Sequence, residues 1–385
     1  MTEDGIQKGE IKARLQRTRE LIGERELGAL LVVGRAFYDR SGNLTYLTNH
    51  FPPFPTCVVS GKVRGLGHGM LILPAKGDPV LVVDGPEYRR DMVAIDEVRV
   101  NANMTAEVKD VLEERKLTSG RVGIAGEDIL PVTLYKDLVA YLPGISFEAA
   151  DDILSGQRIV KSEAEIGLLK KAAQIADAGL EAALGALAEG KREQDICAQG
   201  TGAALEAGAD FVRYLRVHSG DWSAWGTRWP QATDRKLKKG DMVGLDIIGA
   251  RIGYQFDVLR STVLGRANDW QRKLLETSLE ATERMIELAK PGIGAEELVE
   301  AAGQLMAKAG FGEHFSGFMG HGIGLETVED PYLIKGVTTE LREGMVLCIE
   351  PGIFVPGLGG SRIEQEIVIR RDKPELISFC KARLW

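Results

Sequence analysis

The sequence predicts an α+β protein of two domains, in which a smaller α/β domain precedes a larger domain built from two related halves. Three observations support this prediction. The chain has 385 residues, enough for two or three domains of about 150 residues each. Helical and strand-like patterns alternate over residues 1–155. Beyond them, helices separate two strand pairs that both carry acidic residues, and this repetition predicts an internal duplication.

The composition is that of an ordinary globular protein and excludes several classes. Apolar residues make up 44% and charged residues 27% of the chain, which argues against disorder, collagen and coiled coil. The net charge of −8 argues against a nucleic-acid partner, which would require a basic face. Because there are only 5 histidines beside 56 acidic residues, a metal site would consist mainly of carboxylates.

The N-terminal domain is predicted over residues 1–155. An amphipathic helix over 10–26 is followed by short apolar strands at 29–33, 69–73 and 80–83. The second domain is predicted over 156–385. Its entry is marked by Ser162 and Glu165, which have the spacing of a capping box at the start of a helix.

The second domain reads as two strand pairs with helices between them. A first hairpin is predicted from strands 242–248 and 254–264 with a turn at 249–253, followed by helices at 268–290 and 295–309. A second hairpin joins 345–350 to 362–370 through a Pro/Gly-rich loop. The sequence offers no signal peptide and no apolar run of about 18 residues, so we expect a cytoplasmic protein without a membrane partner. Scattered cysteines predict reduced, buried thiols at Cys57, Cys197, Cys348 and Cys380.

Two aspartates lie inside apolar strands of the first predicted hairpin. Asp246 lies in the strand 242–248 and Asp257 in the strand 254–264. A carboxylate in such a position is costly unless it is paired, neutralised or bound to a cation. Strand pairing could bring both aspartates to one face, where two like charges repel each other unless a cation lies between them.

The second hairpin repeats this arrangement with Glu350 and Glu364, and His321 lies between the hairpins within a Gly-rich run, 320–324. Each residue alone could be structural: an aspartate at a strand edge, a histidine between glycines, or a glutamate ending a strand. Together, two Asp, one His and two Glu suit two divalent ions such as Mn, Fe, Co or Zn. We therefore predict a metal site of Asp246, Asp257, His321, Glu350 and Glu364.

The order of these residues and their flanks resembles the creatinase/prolidase/Xaa-Pro aminopeptidase family of pita-bread metallohydrolases. Five separate segments carry the resemblance. Two of them end at the aspartates, and the other three contain His321, Glu350 and Glu364; the segments are 239–246, 253–257, 320–324, 350–352 and 362–364. The resemblance implies a pita-bread fold over the second domain and a family-type α/β domain before it. It also implies a homodimer.

The same resemblance implies the chemistry. It makes the five residues ligands of a dinuclear site that generates a bridging hydroxide and cleaves a C–N bond of an amide or peptide. Glu350, adjacent to that water, is the expected general base. The implied substrate is a dipeptide or a small molecule.

The sequence departs from this family at two histidines that hold the scissile amide. Val328 occupies the position of one of them, although Glu329 is retained, and Thr227 or a neighbour occupies the other. Valine can neither donate a hydrogen bond nor carry a proton. We therefore expect a small or atypical substrate rather than an ordinary Xaa-Pro peptide.

A tryptophan-rich loop, residues 220–230, lies where the family resemblance places the substrate loop. Trp222 and Trp225 could face a cationic substrate group, Arg228 could hold a substrate carboxylate, and His218 could transfer a proton. Alternatively, the tryptophans pack a loop or a subunit contact. Two other functions remain open at this point: a metal-dependent lyase of a sulfonium or betaine-like acid, and a catalytically silent binding module.

Overall fold

The computed structural model describes residues 5–53, 59–61 and 63–382. The chain divides into two compact units, residues 1–158 and 159–385. Cys57 lies outside the described residues. Within the described residues, no helix combines the length and apolar character needed to cross a membrane.

The N-terminal unit contains a six-stranded mixed sheet, helices that cover it and a separate pair of short strands. Its helices are α1 (Lys8–Glu24), α2 (Gly42–Thr48), α3 (Met104–Glu114), α4 (Val132–Tyr141) and α5 (Asp152–Arg158). Its strands are β1 (Ala29–Arg35), β2 (Val59–Ser60), β3 (Val63–Arg64), β4 (His68–Pro74), β5 (Val80–Val83), β6 (Glu97–Val100), β7 (Gly120–Ala125) and β8 (Ile145–Ala149).

Six of these strands form a sheet in the order β6-β5-β4-β1-β7-β8 among the described residues. The β1–β7, β7–β8 and β5–β6 pairs are parallel, whereas β1–β4 and β4–β5 are antiparallel. The strands β4 and β5 are buried along their whole length, as expected for sheet covered on both faces. This is the mixed helix-and-sheet pattern that the sequence predicts for the N-terminal domain.

The C-terminal unit contains two sets of helices and antiparallel strands. Its helices are α6 (Glu163–Ala186), α7 (Glu193–Glu206), α8 (Asp269–Leu288) and α9 (Ala295–Met306). Its strands are β9 (Phe211–Ser219), β10 (Met242–Arg251), β11 (Tyr254–Val263), β12 (Gly320–Gly322), β13 (Val346–Ile349), β14 (Gly352–Val355), β15 (Gly359–Arg362), β16 (Gln365–Val368) and β17 (Glu375–Leu376). Helices α6 and α7 accompany a β11-β10-β9 sheet, and α8 and α9 accompany a β12-β13-β16-β17 sheet.

Helix α6 begins at the predicted capping box. The Ser162 hydroxyl accepts a hydrogen bond from the backbone N–H of Glu165, and the Glu165 carboxylate accepts one from the backbone N–H of Ser162. Helix α6 then packs closely against α7 and the sheet, because a Cβ on Gly179 would lie only 2.5 Å from the Ile247 side chain and 3.1 Å from the Gly200 carbonyl. The glycine therefore lets the helices lie directly behind the strands that carry the first two acidic residues.

The first hairpin is longer and its turn tighter than predicted. Strand β10 continues to Arg251, which pairs with Tyr254, so the turn consists of Ile252 and Gly253, both with positive φ. Such a two-residue turn matches the twist of paired strands. Gly249 lies within the strand because the Phe256 ring packs where its side chain would be.

The second hairpin contains another hairpin in its loop. Strand β13 pairs with β16 as predicted, with Ile349 opposite Gln365. The intervening Pro/Gly-rich segment is not a simple loop, because β14 and β15 pair with each other within it. Gly357 and Gly359 both have positive φ at this turn, a backbone conformation that glycine adopts without a steric cost.

Candidate metal centre

The first two predicted ligands lie on one face of the β10–β11 hairpin. Asp246 is opposite Leu259, and Asp257 is opposite Ile248. Because alternate residues of a strand share a face, the two aspartates are diagonal neighbours on the same side. One carboxylate oxygen from each aspartate and one from Glu364 lie within 4.8 Å of one another.

His321 and Glu350 reach the same place from the second sheet. Strand β12 places His321 opposite Cys348 on β13, and the strands meet closely because a Cβ on Gly320 would lie 2.2 Å from the Cys348 carbonyl. The Nε2 atom of His321 is 3.2 Å from a Glu350 oxygen and 3.7 Å from an Asp257 oxygen. The structure thus brings all five predicted ligands together.

The tautomer of His321 follows from its other ring nitrogen. Nδ1 is 3.0 Å from the Gly322 carbonyl oxygen. Since a carbonyl can only accept, Nδ1 carries the proton and the lone pair of neutral histidine is on Nε2, which faces the carboxylates. A backbone carbonyl on the distal nitrogen is the usual way in which proteins orient a metal-binding histidine.

The five side chains are almost completely removed from solvent. Within the described part of the chain, two of their oxygens, Oδ1 of Asp246 and Oε1 of Glu364, have no hydrogen-bond partner, although both residues are at most 5% exposed. Buried acceptors without partners are rare because each costs about 1–3 kcal/mol. The donor set and its two unpartnered oxygens therefore fit divalent cations.

Without a cation, the carboxylates perturb one another strongly. Burial, followed by the charges of neighbouring carboxylates, raises the pKa of Asp257 and of Glu364 well above its usual value. Burial also raises the pKa of Asp246. Glu350 is the exception: burial would raise its pKa, but the nearby charge of Arg362 opposes burial and the pKa is lowered.

Three supporting residues were missed by the sequence analysis. Arg362 donates a hydrogen bond to Glu350 at 2.6 Å, and Arg216 donates one to Asp246 at 2.8 Å. The Glu366 carboxylate accepts a hydrogen bond from the backbone N–H of Asp257 at 2.8 Å. Burial raises the pKa of Glu366 to about 8. Strand periodicity could have indicated Arg216, because it alternates with Tyr214 and His218 in 211–219 and faces the same way.

Arg216 is placed to present a positive charge at the site. It lies opposite Asp246 in the β9–β10 register, and its guanidinium lies 3.9 Å from the centre of the Tyr214 ring. Its side chain is 17% exposed, so part of the group reaches solvent. Stacking on an aromatic ring holds a guanidinium in one orientation while leaving N–H groups available.

The predicted substrate residues are distributed more widely. His218 is buried, its Nδ1 atom is 3.2 Å from the Trp225 carbonyl oxygen, and burial lowers its pKa to about 4. Trp222 and Trp225 are about half exposed. Val328 is 42% exposed.

The two remaining predicted substrate residues form internal ion pairs. Glu329 is buried and pairs with Lys161 at 3.2 Å. Arg228 pairs with the fully buried Glu193 at 3.0 Å and lies 5.0 Å from the centre of the Trp222 ring. A substrate carboxylate at Arg228 would therefore compete with an internal one.

Glu193, which the sequence analysis also missed, organises the tryptophan-rich loop. Its carboxylate accepts from the N–H and hydroxyl groups of both Ser219 and Thr233, and from Arg228. Burial would raise the pKa of Glu193, but these donors outweigh burial and lower it. The ionised carboxylate thus connects the two ends of the loop, for which the sequence contains no recognisable motif.

Two family models match the chain. One describes metallopeptidase family M24 and matches residues 167–371. The other describes the creatinase/prolidase N-terminal domain and matches residues 14–160.

Curated relatives and solved structures agree with these matches. A Xaa-Pro dipeptidase of Pyrococcus horikoshii is 35% identical over 278 residues, which cover 72% of this chain and 78% of the relative. A probable dipeptidase, PepE, of Mycobacterium tuberculosis is 31% identical over 318 residues, covering 82% and 84%. The crystal structure of the prolidase from Pyrococcus horikoshii superimposes with a TM-score of 0.84 at 29% identity, covering 97% of this chain and 100% of the prolidase.

The likeness to these structures and the match of both domain models confirm the predicted pita-bread fold with a preceding creatinase/prolidase-type domain. The expected requirement for divalent metal agrees with the family description and with the cluster of buried carboxylates. The chain is therefore a metallohydrolase of metallopeptidase family M24.

Proposed function

We propose that the chain is a dinuclear hydrolase that cleaves the C–N bond of a dipeptide or of a small acid containing an amide. Its proposed ligands are Asp246, Asp257, His321, Glu350 and Glu364. The observation that carries the proposal is the convergence of these five buried groups, two of whose oxygens have no hydrogen-bond partner among the residues that the structure describes. The names of the relatives, Xaa-Pro dipeptidase and probable dipeptidase, support a dipeptide-sized substrate.

The donor set supports Mn, Fe, Co or Zn as the bound ions. Carboxylates and an imidazole suit these borderline divalent metals, and five ligands, of which four are carboxylates with two oxygens each, would suit two ions better than one. When bound, such ions lower the pKa of a coordinated water and polarise a substrate carbonyl. All five ligands lie between residues 246 and 364, which supports assigning catalysis to the domain 156–385.

Glu350 is the proposed general base. Its Oε2 atom is held by Arg362 at 2.6 Å, so the carboxylate cannot rotate freely, and its Oε1 atom faces His321. In the reaction, Oε1 would accept the proton of the attacking water and pass it to the leaving amine. Arg362 keeps Glu350 ionised for this role, since its nearby charge favours the carboxylate.

We further propose that Arg216, rather than Arg228, holds the substrate carboxylate. Both arginines pair with a carboxylate, but they differ in exposure and position. Arg228 is 9% exposed and pairs with the fully buried Glu193, whereas Arg216 is 17% exposed and pairs with Asp246, one of the proposed ligands. With Val328 at one position of the missing histidines, the site has a cation for an acid but lacks the usual donors for a peptide carbonyl. This combination supports a small acidic substrate.

Metal content and turnover together test the function. The full-length protein, stripped of metal and reloaded with Mn, Co or Zn, should bind about two ions and hydrolyse Xaa-Pro dipeptides or small amide-bearing acids. Asp257→Asn, which is close in shape, should lose both properties. As a matched control, Asp210→Asn removes a carboxylate at the Gly253 end of the same hairpin and should change neither.

The outcomes separate the alternatives. An elimination product from a sulfonium or betaine-like acid, without hydrolysis, would identify a lyase and overturn the proposal. Failure to bind any of these metals would favour a silent binding module. Binding of a single ion with full activity would show that the dinuclear part of the proposal is wrong.

We also propose a homodimer. Trp222, Trp225 and Trp229 are 51%, 52% and 82% exposed, and an exposed aromatic cluster supports either a substrate surface or a contact between subunits. Light scattering of the full-length chain beside Trp229→Ser tests this. A monomeric mass at micromolar concentration would contradict it.

A further inference from the structure

A thiol forms part of the wall of the proposed metal centre. Cys348 is fully buried on β13, directly opposite His321 on one side and Glu366 on the other. Its Sγ atom lies 3.8 Å from the backbone oxygen of Asp257, a weak hydrogen bond. The thiol is thus surrounded by the residues that form the site.

Three potential donors converge on the His321 side of the centre. One ring nitrogen of His321, Sγ of Cys348 and one oxygen of Glu364 lie within 4.8 Å of one another. Donors around a tetrahedral ion with bonds of about 2.0–2.3 Å lie roughly 3.6 Å apart. A contraction of about 1 Å would therefore complete such a site, which is within the range of side-chain torsional adjustment.

Two further observations point to a ligand at this position. Within the described residues, Oε1 of Glu364 has no hydrogen-bond partner, and Glu364 is 1% exposed. The Nε2 atom of His321 has its lone pair available, since Nδ1 faces the Gly322 carbonyl oxygen. The thiol is therefore accompanied by a buried acceptor without a partner and by an imidazole in the metal-binding tautomer.

We infer that Cys348 is an additional, sulfur ligand of the ion held by His321 and Glu364, and that it makes this ion site selective for thiophilic metals. The inference rests on the proposed dinuclear centre and extends it. Sulfur favours Zn, Co and Cd over Mn, so the two ion sites should differ in preference. The Asp246 and Asp257 side offers oxygen donors alone and keeps its preference for harder ions.

Cobalt absorption tests the inference without measuring turnover. The metal-stripped, full-length chain is titrated with Co²⁺ in the absence of oxygen, and absorption is recorded in the visible and near-ultraviolet regions. We expect visible ligand-field bands together with a near-ultraviolet thiolate-to-cobalt charge-transfer band. Cys348→Ser should lose the charge-transfer band while still binding cobalt.

Matched thiol variants control for the other cysteines. Cys197→Ser and Cys380→Ser each remove a thiol from a different part of the same unit and should keep the charge-transfer band. Cys348→Ala provides a second variant in case the buried serine hydroxyl coordinates weakly. Thermal melts followed by circular dichroism verify that each variant is folded.

Metal competition gives a second measurement. In the wild-type chain, Cd²⁺ should displace Mn²⁺ from the more thiophilic site, and Cys348→Ser should reduce this preference by about tenfold or more, since even outer-sphere changes alter metal affinity by 10–100-fold. An unchanged preference would overturn the inference. Visible cobalt bands without a charge-transfer band would overturn it and leave the proposed function standing. Failure to bind cobalt while manganese still binds would also overturn the inference alone, whereas failure to bind cobalt, manganese and zinc would overturn both.

Discussion

The buried carboxylate of Glu193 should be among the most sensitive positions in the C-terminal unit. We predict that Glu193→Gln destabilises this unit by about 3 kcal/mol. Glutamine keeps one acceptor oxygen but turns an NH₂ group toward donors. Three hydrogen bonds to Oε2, from Arg228 and from the N–H and hydroxyl of Thr233, then lose their acceptor.

Two estimates of the magnitude agree. Three lost hydrogen bonds at about 1 kcal/mol each give about 3 kcal/mol. Removing one partner of a buried ion pair usually costs about 3–5 kcal/mol, because the Arg228 guanidinium remains in place without its counter-charge. The substitution should also loosen the tryptophan-rich loop, whose two ends Glu193 connects.

Urea unfolding followed by tryptophan fluorescence measures this effect selectively. All 5 tryptophans lie beyond residue 221, so their emission reports on the C-terminal unit and not on the N-terminal one. Far-ultraviolet circular dichroism recorded in parallel distinguishes local loosening of the loop from global unfolding.

Asp195→Asn provides the matched control. Asp195 lies on the same first turn of α7 and pairs with Arg192 at 2.6 Å, but this pair is solvent-exposed. Exposed pairs contribute little to stability, so the urea midpoint of Asp195→Asn should remain close to that of the wild type. If Glu193→Gln unfolds at the same urea concentration as Asp195→Asn, our account of the loop is refuted.

Three further predictions address other parts of the molecule. Removal of metal by a chelator should lower the melting temperature of the wild-type protein, since ions bound to the folded state stabilise it by about 2.7 kcal/mol at a hundredfold excess over Kd. The melting temperature of Asp257→Asn should not change with chelator, and a change would contradict the assignment of Asp257 as a ligand. Arg216→Met should raise KM for substrates with a free carboxylate by about tenfold or more, with a smaller change in kcat. An equal rise in KM for substrates whose carboxylate is replaced by an amide would show that Arg216 does not bind the carboxylate. Burial holds the pKa of His50 at about 4, below 6.5, so protonation favours the unfolded N-terminal unit. The contribution of His50 to stability should be complete above about pH 6.5 and fall by about 3 kcal/mol by pH 4. Hydrogen exchange of β1 and β4 should show a loss in wild type and a smaller loss in His50→Gln, because burial also lowers the pKa of His68 on β4; an equal loss in both proteins would contradict the role of His50.

The sequence predicted the fold class and the set of five candidate ligands because both depend on local patterns. A carboxylate within an apolar strand, as at Asp246 and Asp257, is anomalous wherever it occurs, since desolvation makes it costly. The capping box at Ser162 is equally local, and it is confirmed at the start of α6.

Details that depend on strand register were predicted less well. The turn at Ile252 and Gly253 is tighter than predicted, since Gly249 belongs to the strand where Phe256 packs over it. The loop of the second hairpin contains its own hairpin, β14–β15. Glycine occurs both in turns and where two segments of backbone or side chain pack closely. Only the packing in the folded structure shows which of these roles a given glycine has.

Only the tertiary structure decided which charged side chains meet. Arg228 looked available in the sequence, but folding brings it to Glu193 at the start of α7, while Arg216 comes to lie beside Asp246. Cys348 appeared to be an ordinary buried thiol until the pairing of β12 with β13 placed it opposite His321. Long-range pairing leaves no local pattern, because the energy of a buried charge or thiol depends on neighbours that are distant in sequence.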